Sequence, residues 1–155
     1  MTNFRPTPIE PARLAAMRTA GRDEHGNPVT AFPAAGWEPL RCCLRLAGAD
    51  ESIALISYAP FTHVSPWTEV GPVYVHAAAC DGFAGDDLPE QLRTGPRILR
   101  TYRADGSLQY EHVTPVPEGE DLEPALRKLF AEPEVETVHV RALLTQCFTY
   151  AVERA

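Results

Sequence analysis

The sequence is short of positive charge and nearly devoid of lysine. Fourteen basic residues stand against 21 acidic ones, a formal net charge of -7, and 13 of the 14 are arginine, with Lys128 the lone lysine. That balance excludes a whole-molecule field that gathers phosphates, so nucleic acid is not an expected partner, although a local basic patch remains compatible with it. The opening stretch MTNFRPTPIEPARLAAMRTAGRDE has no basic run followed by a long apolar segment. No signal peptide and no membrane span are therefore expected, and the chain reads as cytoplasmic. The four cysteines (42, 43, 80 and 147) contain no C-x-x-C, and the histidines at 25, 63, 76, 112 and 139 contain no H-x-x-x-H. In a reducing compartment structural disulfides are rare, and these spacings give no reason to expect a metal. The phosphate loop, the dinucleotide fingerprint G-x-G-x-x-G, the H-E-x-x-H zinc helix and the G-x-S-x-G elbow are all missing. No cofactor is expected, and the easiest enzyme classes fall away without removing enzymes in general.

What is present is one domain of 155 residues, 45% hydrophobic, with 15 prolines. Proline at about twice its usual share of roughly 5% predicts rigid loops in a chain with this much apolar residue. Arginine in place of lysine follows from genomic base composition, or else reflects bidentate recognition of carboxylate or phosphate, which lysine cannot imitate.

Thr7-Pro8-Ile9-Glu10 has the pattern of a capping box with proline in the first turn, which predicts a helix over about 7–20 stopped by Gly21. Leu40, Cys42, Leu44 and Leu46 alternate with Arg41, Cys43 and Arg45, which predicts a half-buried strand, paired as a hairpin with the run Ser52 to Tyr58. Pro60 to Pro72 forms a long loop, and loops of that length in compact domains are often functional. Further strands are expected at 71–76, 97–103 and 108–113, the last two joined through Asp105-Gly106. Leu122, Ala125, Leu126, Leu129 and Phe130 recur at helical spacing, so a helix is expected over 121–131, stopped by Pro133. A final hairpin fills 135–153. The whole reads as a single α+β domain over 1–155, with a sheet over 29–113 and the C-terminal hairpin. Its expected form is a strongly bent antiparallel sheet or incomplete barrel of six to seven strands with two main helices.

Three groups could carry chemistry. If the last hairpin turns at Leu143, His139 opposes Cys147 with Arg141 on the same face, the start of a nucleophile and base pair; otherwise Cys147 is a buried apolar wall. Tyr58, His63, Trp67, Glu69, Tyr74 and His76 gather around the long loop and supply aromatic walls with polar groups, as a binding cleft requires, or else seal the loop over the sheet. Arg41, Arg45, Arg100, Arg103 and Arg141 recur on the expected strands, where they are either ion-paired on a solvated face or form an anion site. A metal or redox role for Cys42-Cys43 is not expected, because neighbours on a strand point to opposite faces.

Pro39 to Arg45, Ile53 to Tyr58, Gly71 to His76 with Cys80, Leu92-Arg93, Arg100 to Tyr102, Val138 to Arg141, Cys147-Phe148 and Val152 to Arg154 stand in this order and at these spacings. Together they resemble the bacterial family called domain of unknown function 1203, over about residues 4–154, with the Arg-rich usage of its actinobacterial branch. The resemblance implies a small cytosolic single-domain protein and brings no catalytic assignment. The family's usual ending has glycine before the Cys-aromatic pair, where this chain has Gln146. Arg41, Cys43, Tyr58, His76, Arg93, Arg100, His139, Arg141 and Cys147 coincide with the pattern.

The expectation is a pocket for an anionic or polar small metabolite. Arg41, Arg100 and Arg141 would hold the anion, Tyr58, Trp67 and Tyr74 would line it, and His139, His76 and Cys147 would be the catalytic candidates. The alternative is a non-enzymatic interaction module, a homodimer joined through sheet edges or the aromatic loop.

Overall fold

A computed structural model describes residues 2–155, leaving Met1 outside the described residues. The chain runs β1 (Phe4–Thr7), α1 (Pro11–Ala20), β2 (Phe32–Pro33), β3 (Pro39–Leu40), β4 (Arg45–Leu46), β5 (Ser52–Tyr58), β6 (Gly71–His76) and β7 (Arg97–Tyr102). It continues with β8 (Thr114–Val116), α2 (Glu123–Phe130), β9 (Thr137–Ala142) and β10 (Phe148–Arg154). The fold is mixed α+β and mostly sheet, as expected. The single bent sheet or incomplete barrel of six to seven strands is corrected, however, to two five-stranded sheets, neither of them closed. One has the order β1-β10-β9-β7-β8 and the other β2-β5-β6-β3-β4. Among the described residues the named strands pair antiparallel except for the β3–β6 contact, where Leu40 pairs with Tyr74. Among the described residues no helix is long and apolar enough to cross a membrane.

Each sheet carries its own helix. On one face of the first sheet, Leu122, Leu126, Leu129 and Phe130 of the α2 region meet Leu99, Val138, Val140, Tyr150 and Val152. Burying each such side chain is worth roughly 1.5–3 kcal/mol, which explains why the strongly periodic 121–131 stretch folds as read. The Asp121 side chain accepts from the Glu123 N–H at 2.8 Å and so fixes the turn that leads into α2. On the second sheet, Leu14 and Met17 of α1 pack with Ile53, Ile56, Val73 and Val75.

The first helix begins at Pro11, not at Thr7, because residues 4–7 extend β10 instead; Gly21, at φ 69°, ends the helix as expected. The stretch 40–46 is not a strand either. Residues 41–44 form a turn, closed by the Leu44 N–H donating to the Leu40 carbonyl at 2.9 Å with Leu44 at φ 54°. β5 accordingly pairs with β6 and β2, not with a strand over 40–46. Residues 108–113 supply only a bridge from Leu108 to Tyr102 and a short 3-10 turn, while β7 takes β8 and β9 as its neighbours.

Arg41 ties these parts together. Only 4% exposed, it leaves the turn after β3 and donates from Nε to the Phe148 carbonyl of β10 at 2.8 Å and from Nη1 to the Pro39 carbonyl. Its own N–H donates to the Tyr74 carbonyl, and its carbonyl accepts from the Ile9 N–H. Burial pushes the guanidinium down to about 10, opposed in part by Cys147, so it stays cationic at neutral pH. Arg41→Ala removes two charge-assisted hydrogen bonds to backbone carbonyls and is expected to cost about 3 kcal/mol in chemical denaturation. A loss under about 1 kcal/mol would remove Arg41 as the link between the sheets.

Candidate functional site

Strand periodicity places the first group of residues. In β7 and β9, Leu99 and Val140 face the α2 core, so Arg100, His139 and Arg141 point to the opposite face, with Arg100 paired to His139 and Ile98 to Arg141. The irregular stretch between β5 and β6 crosses this face and brings Phe61 and Glu69 onto it.

A cleft of about 410 Å³ opens where this stretch meets the turn between β9 and β10. Tyr58, Glu69, Arg100, Arg141, Cys147 and Phe148 are among its lining residues. Glu69 is the centre of its charge. Both carboxylate oxygens accept from Arg100 Nη1 at 2.8 Å, and Oε2 also lies 2.8 Å from Arg141 Nη2. The arginine side chains are 20% and 8% exposed, whereas Glu69 is 48% exposed. Burial is the largest single influence on Arg100 and opposes its charge, but the hydrogen bond and charge of Glu69 together with Tyr102 outweigh it and raise the pKa. For Arg141 burial wins and the pKa is lowered, with Glu69 opposing.

The hairpin turn completes the clamp. Gln146 sits at φ 62°, the left-handed region that glycine enters freely and where other residues are strained. Here the Gln146 carbonyl accepts from Arg141 Nη1 at 2.9 Å, and its side-chain oxygen accepts from Arg100 Nη2 at 3.2 Å. Glutamine therefore adds a contact to the clamp that glycine could not make.

The expected register of this hairpin is corrected. Phe148 pairs with Arg141, and His139 pairs with Ala151 after an irregularity between Phe148 and Tyr150, so His139 does not oppose Cys147. His139 is 2% exposed, enclosed by the rings of Tyr102, Phe61 and Phe148 at centroid distances of 4.4, 4.8 and 5.1 Å. Its Nδ1 has no hydrogen-bond partner among the described residues. Burial, then Arg141 and Arg100, hold its pKa well below the ordinary imidazole value. It is a neutral floor under the arginines. Cys147 lines the cleft, half-buried, with its Sγ 4.0 Å from the Thr145 carbonyl.

The other residues singled out in the sequence lie elsewhere. Arg41 is committed to backbone carbonyls and does not line the cleft. Trp67 lines an adjoining groove with Arg100 and donates from its indole to the Tyr110 hydroxyl at 3.1 Å. Tyr74 belongs to the second sheet, edge-on to Trp37 and Phe32. His76 stands with Cys42, Cys43 and Cys80. The strand argument against Cys42 and Cys43 sharing a ligand is corrected here, because both lie in the turn 41–44.

The family model described as Protein of unknown function (DUF1203) matches residues 37–154, most of the chain. The chain belongs to the DUF1203 family. The match takes in Arg41, Tyr58, Glu69, His76, Arg100, His139, Arg141 and Cys147, so the cleft and the sulfur cluster of this DUF1203 chain both lie inside the family's own region. No curated protein and no solved structure matches the chain.

The buried His139 sets a pH dependence. Its folded pKa is lowered, so between that value and the unfolded one near 6.5 the unfolded chain binds more protons, and stability falls as pH drops. Denaturation from about pH 6.5 down to 5 is expected to show a slope of up to about 1.4 kcal/mol per pH unit. His139→Phe, which keeps the aromatic packing, should flatten that slope. An unchanged slope would show that His139 is not its source.

Proposed function

We propose that the cleft binds a small anionic metabolite bearing a carboxylate. The observation that carries this reading is the Glu69 carboxylate held by two largely buried guanidinium groups that rise from adjacent strands. The pair matches carboxylate geometry, and planar guanidinium groups bind such groups through paired hydrogen bonds. Glu69 itself is half exposed and comes from a stretch without regular secondary structure, so its ion pairs contribute little to stability and yield to a competing anion.

Beside this charged end, Tyr58 and Phe148 offer aromatic wall, and their rings lie 5.7 Å apart at a tilt. A ligand with a carboxylate at one end and an apolar or aromatic body would satisfy both. Cys147 and the Gln146 side chain stand at the rim and would contact the middle of such a molecule. The reading is one of binding, since the imidazole nearest the arginines is buried and neutral and does not reach the Cys147 thiol in the hairpin register.

Thermal-shift measurements against a panel of small mono- and dicarboxylates test it, because a ligand that binds only the folded state raises the midpoint. The wild type should shift with at least one member. Glu69→Gln releases the arginines and should bind that compound about tenfold more tightly, while Arg100→Gln should weaken it by about tenfold, each near 1.4 kcal/mol. A panel that shifts neither the wild type nor Glu69→Gln would overturn the reading and favour a protein-interaction module.

A further inference from the structure

Four potential metal ligands converge where the turn 41–44 meets the end of β6. The Sγ atoms of Cys42, Cys43 and Cys80 and a ring nitrogen of His76 all lie within 4.8 Å of one another. Three of the separations are given individually: Cys42 Sγ to Cys43 Sγ 3.9 Å, Cys42 Sγ to His76 Nδ1 3.4 Å, and Cys43 Sγ to His76 Nδ1 3.7 Å. Tetrahedral Zn2+ with Zn–S near 2.3 Å and Zn–N near 2.0 Å requires edges of about 3.8 Å between sulfurs and about 3.5 Å between sulfur and nitrogen. The three edges therefore have the lengths of a tetrahedral site.

The surroundings fit the same chemistry. His76 Nε2 lies 3.3 Å from Glu51 Oε1, so an Nε2–H donated to the carboxylate leaves the Nδ1 lone pair directed at the sulfurs. This is the carboxylate–histidine arrangement that fixes the tautomer of a metal-bound imidazole. Glu51 is itself anchored by the Arg45 guanidinium and the Gly48 N–H. His76 N–H donates to Cys42 Sγ at 3.3 Å, which steadies that sulfur toward the other three ligands. Arg45, adjacent to Glu51 and His76, offsets part of the charge that three thiolates would bring. An open cleft of about 510 Å³, lined by Cys43, Arg45, His76 and Cys80 among others, gives an ion access.

We propose that Cys42, Cys43, His76 and Cys80 form a four-ligand Zn2+ site that clamps the loop after β6 to the turn between β3 and β4. Four protein ligands complete the tetrahedron and leave no position for water, so the site is structural. Three soft thiolates and one imidazole select zinc over magnesium, calcium or manganese. Binding converts the three thiols to thiolates and passes their protons to solvent. The sequence did carry a signal in His76-x-x-x-Cys80, a ligand spacing common in zinc sites, once Cys42 and Cys43 are taken off a strand.

The test uses the full-length chain, reduced and purified, with Zn2+ and with Co2+ as spectroscopic substitute. Elemental analysis should find about one Zn2+ per chain, and Co2+ should give the intense visible bands of tetrahedral thiolate coordination. Cys80→Ser, on an exposed loop, and His76→Ala should each weaken Zn2+ at least tenfold. Glu51→Gln should weaken it about 10- to 100-fold by releasing the imidazole. His25→Ala, remote from the cluster, should retain one equivalent. Zn2+ should also slow alkylation of Cys43 and Cys80 as read by mass spectrometry. The proposal is overturned if the reduced wild type takes up no saturable equivalent or Co2+ gives no tetrahedral spectrum. It is equally overturned if Cys80→Ser and His76→Ala bind like the wild type, if His25→Ala loses the ion as well, or if alkylation of Cys43 and Cys80 is unaffected.

Discussion

The guanidinium of Arg41 is buried without an ion-pair partner among the described residues, and the meeting of the two sheets depends on it. Its donors go to the carbonyls of Phe148, in the first sheet, and Pro39, in the second, while its backbone holds Ile9 and Tyr74. A cation in such a place is costly unless its hydrogen bonds are made. Here they fall on one backbone carbonyl from each sheet. Arginine suits the task because its planar fork spans two acceptors and stays protonated even when burial draws its pKa down. Phe148, whose carbonyl Arg41 fixes, also supplies the aromatic wall of the cleft and one side of the cage around His139. The shape of the cleft thus follows from a contact made outside it.

Much of the fold was legible because short-range patterns and burial agreed. The 121–131 helix, the strands at 52–58, 71–76 and 97–102 and the last hairpin all lie where periodicity puts them. Residues 40–46 misled for a definite reason. Leu40, Cys42 and Leu44 are buried as an alternating strand would have them, but Arg41 between them is buried as well, and a turn with Leu44 in the left-handed region satisfies the same apolar spacing. Residues 4–7 misled because Thr7-Pro8-Ile9-Glu10 has the chemistry of a helix cap, while pairing with Arg154 to Ala151 is a contact across the whole chain. The division into two sheets is likewise a matter of long-range pairing, which local patterns do not encode.

The site divides along the same line. That His139 and Arg141 share a face follows from a period of two, and Arg100 joins them through the β7–β9 pairing. The partner of Cys147 was not legible, since an irregularity in β10 changes the register. Glu69 was visible as a loop carboxylate, but its position between two arginines was not. The sulfur cluster depends on a loop bringing Cys80 to a turn some forty residues earlier in the chain. Both centres share one electrostatic plan: a loop carboxylate, Glu69 or Glu51, restrains the cations beside it. A net charge of -7 therefore coexists with arginines concentrated at interior junctions.

The prolines have a further meaning at the sheet margins. Three of the four outermost strands contain one: Pro6 in β1, Pro115 in β8 and Pro33 in β2. The fourth, β4, is two residues long, and its Leu46 N–H is already taken by the Gln91 side chain at 2.9 Å. Proline has no N–H to offer an incoming strand and is tolerated on a margin for that reason. Strand addition by a peptide or a second copy is thereby disfavoured at these margins, and the faces and loops are left as the more open surfaces of the molecule.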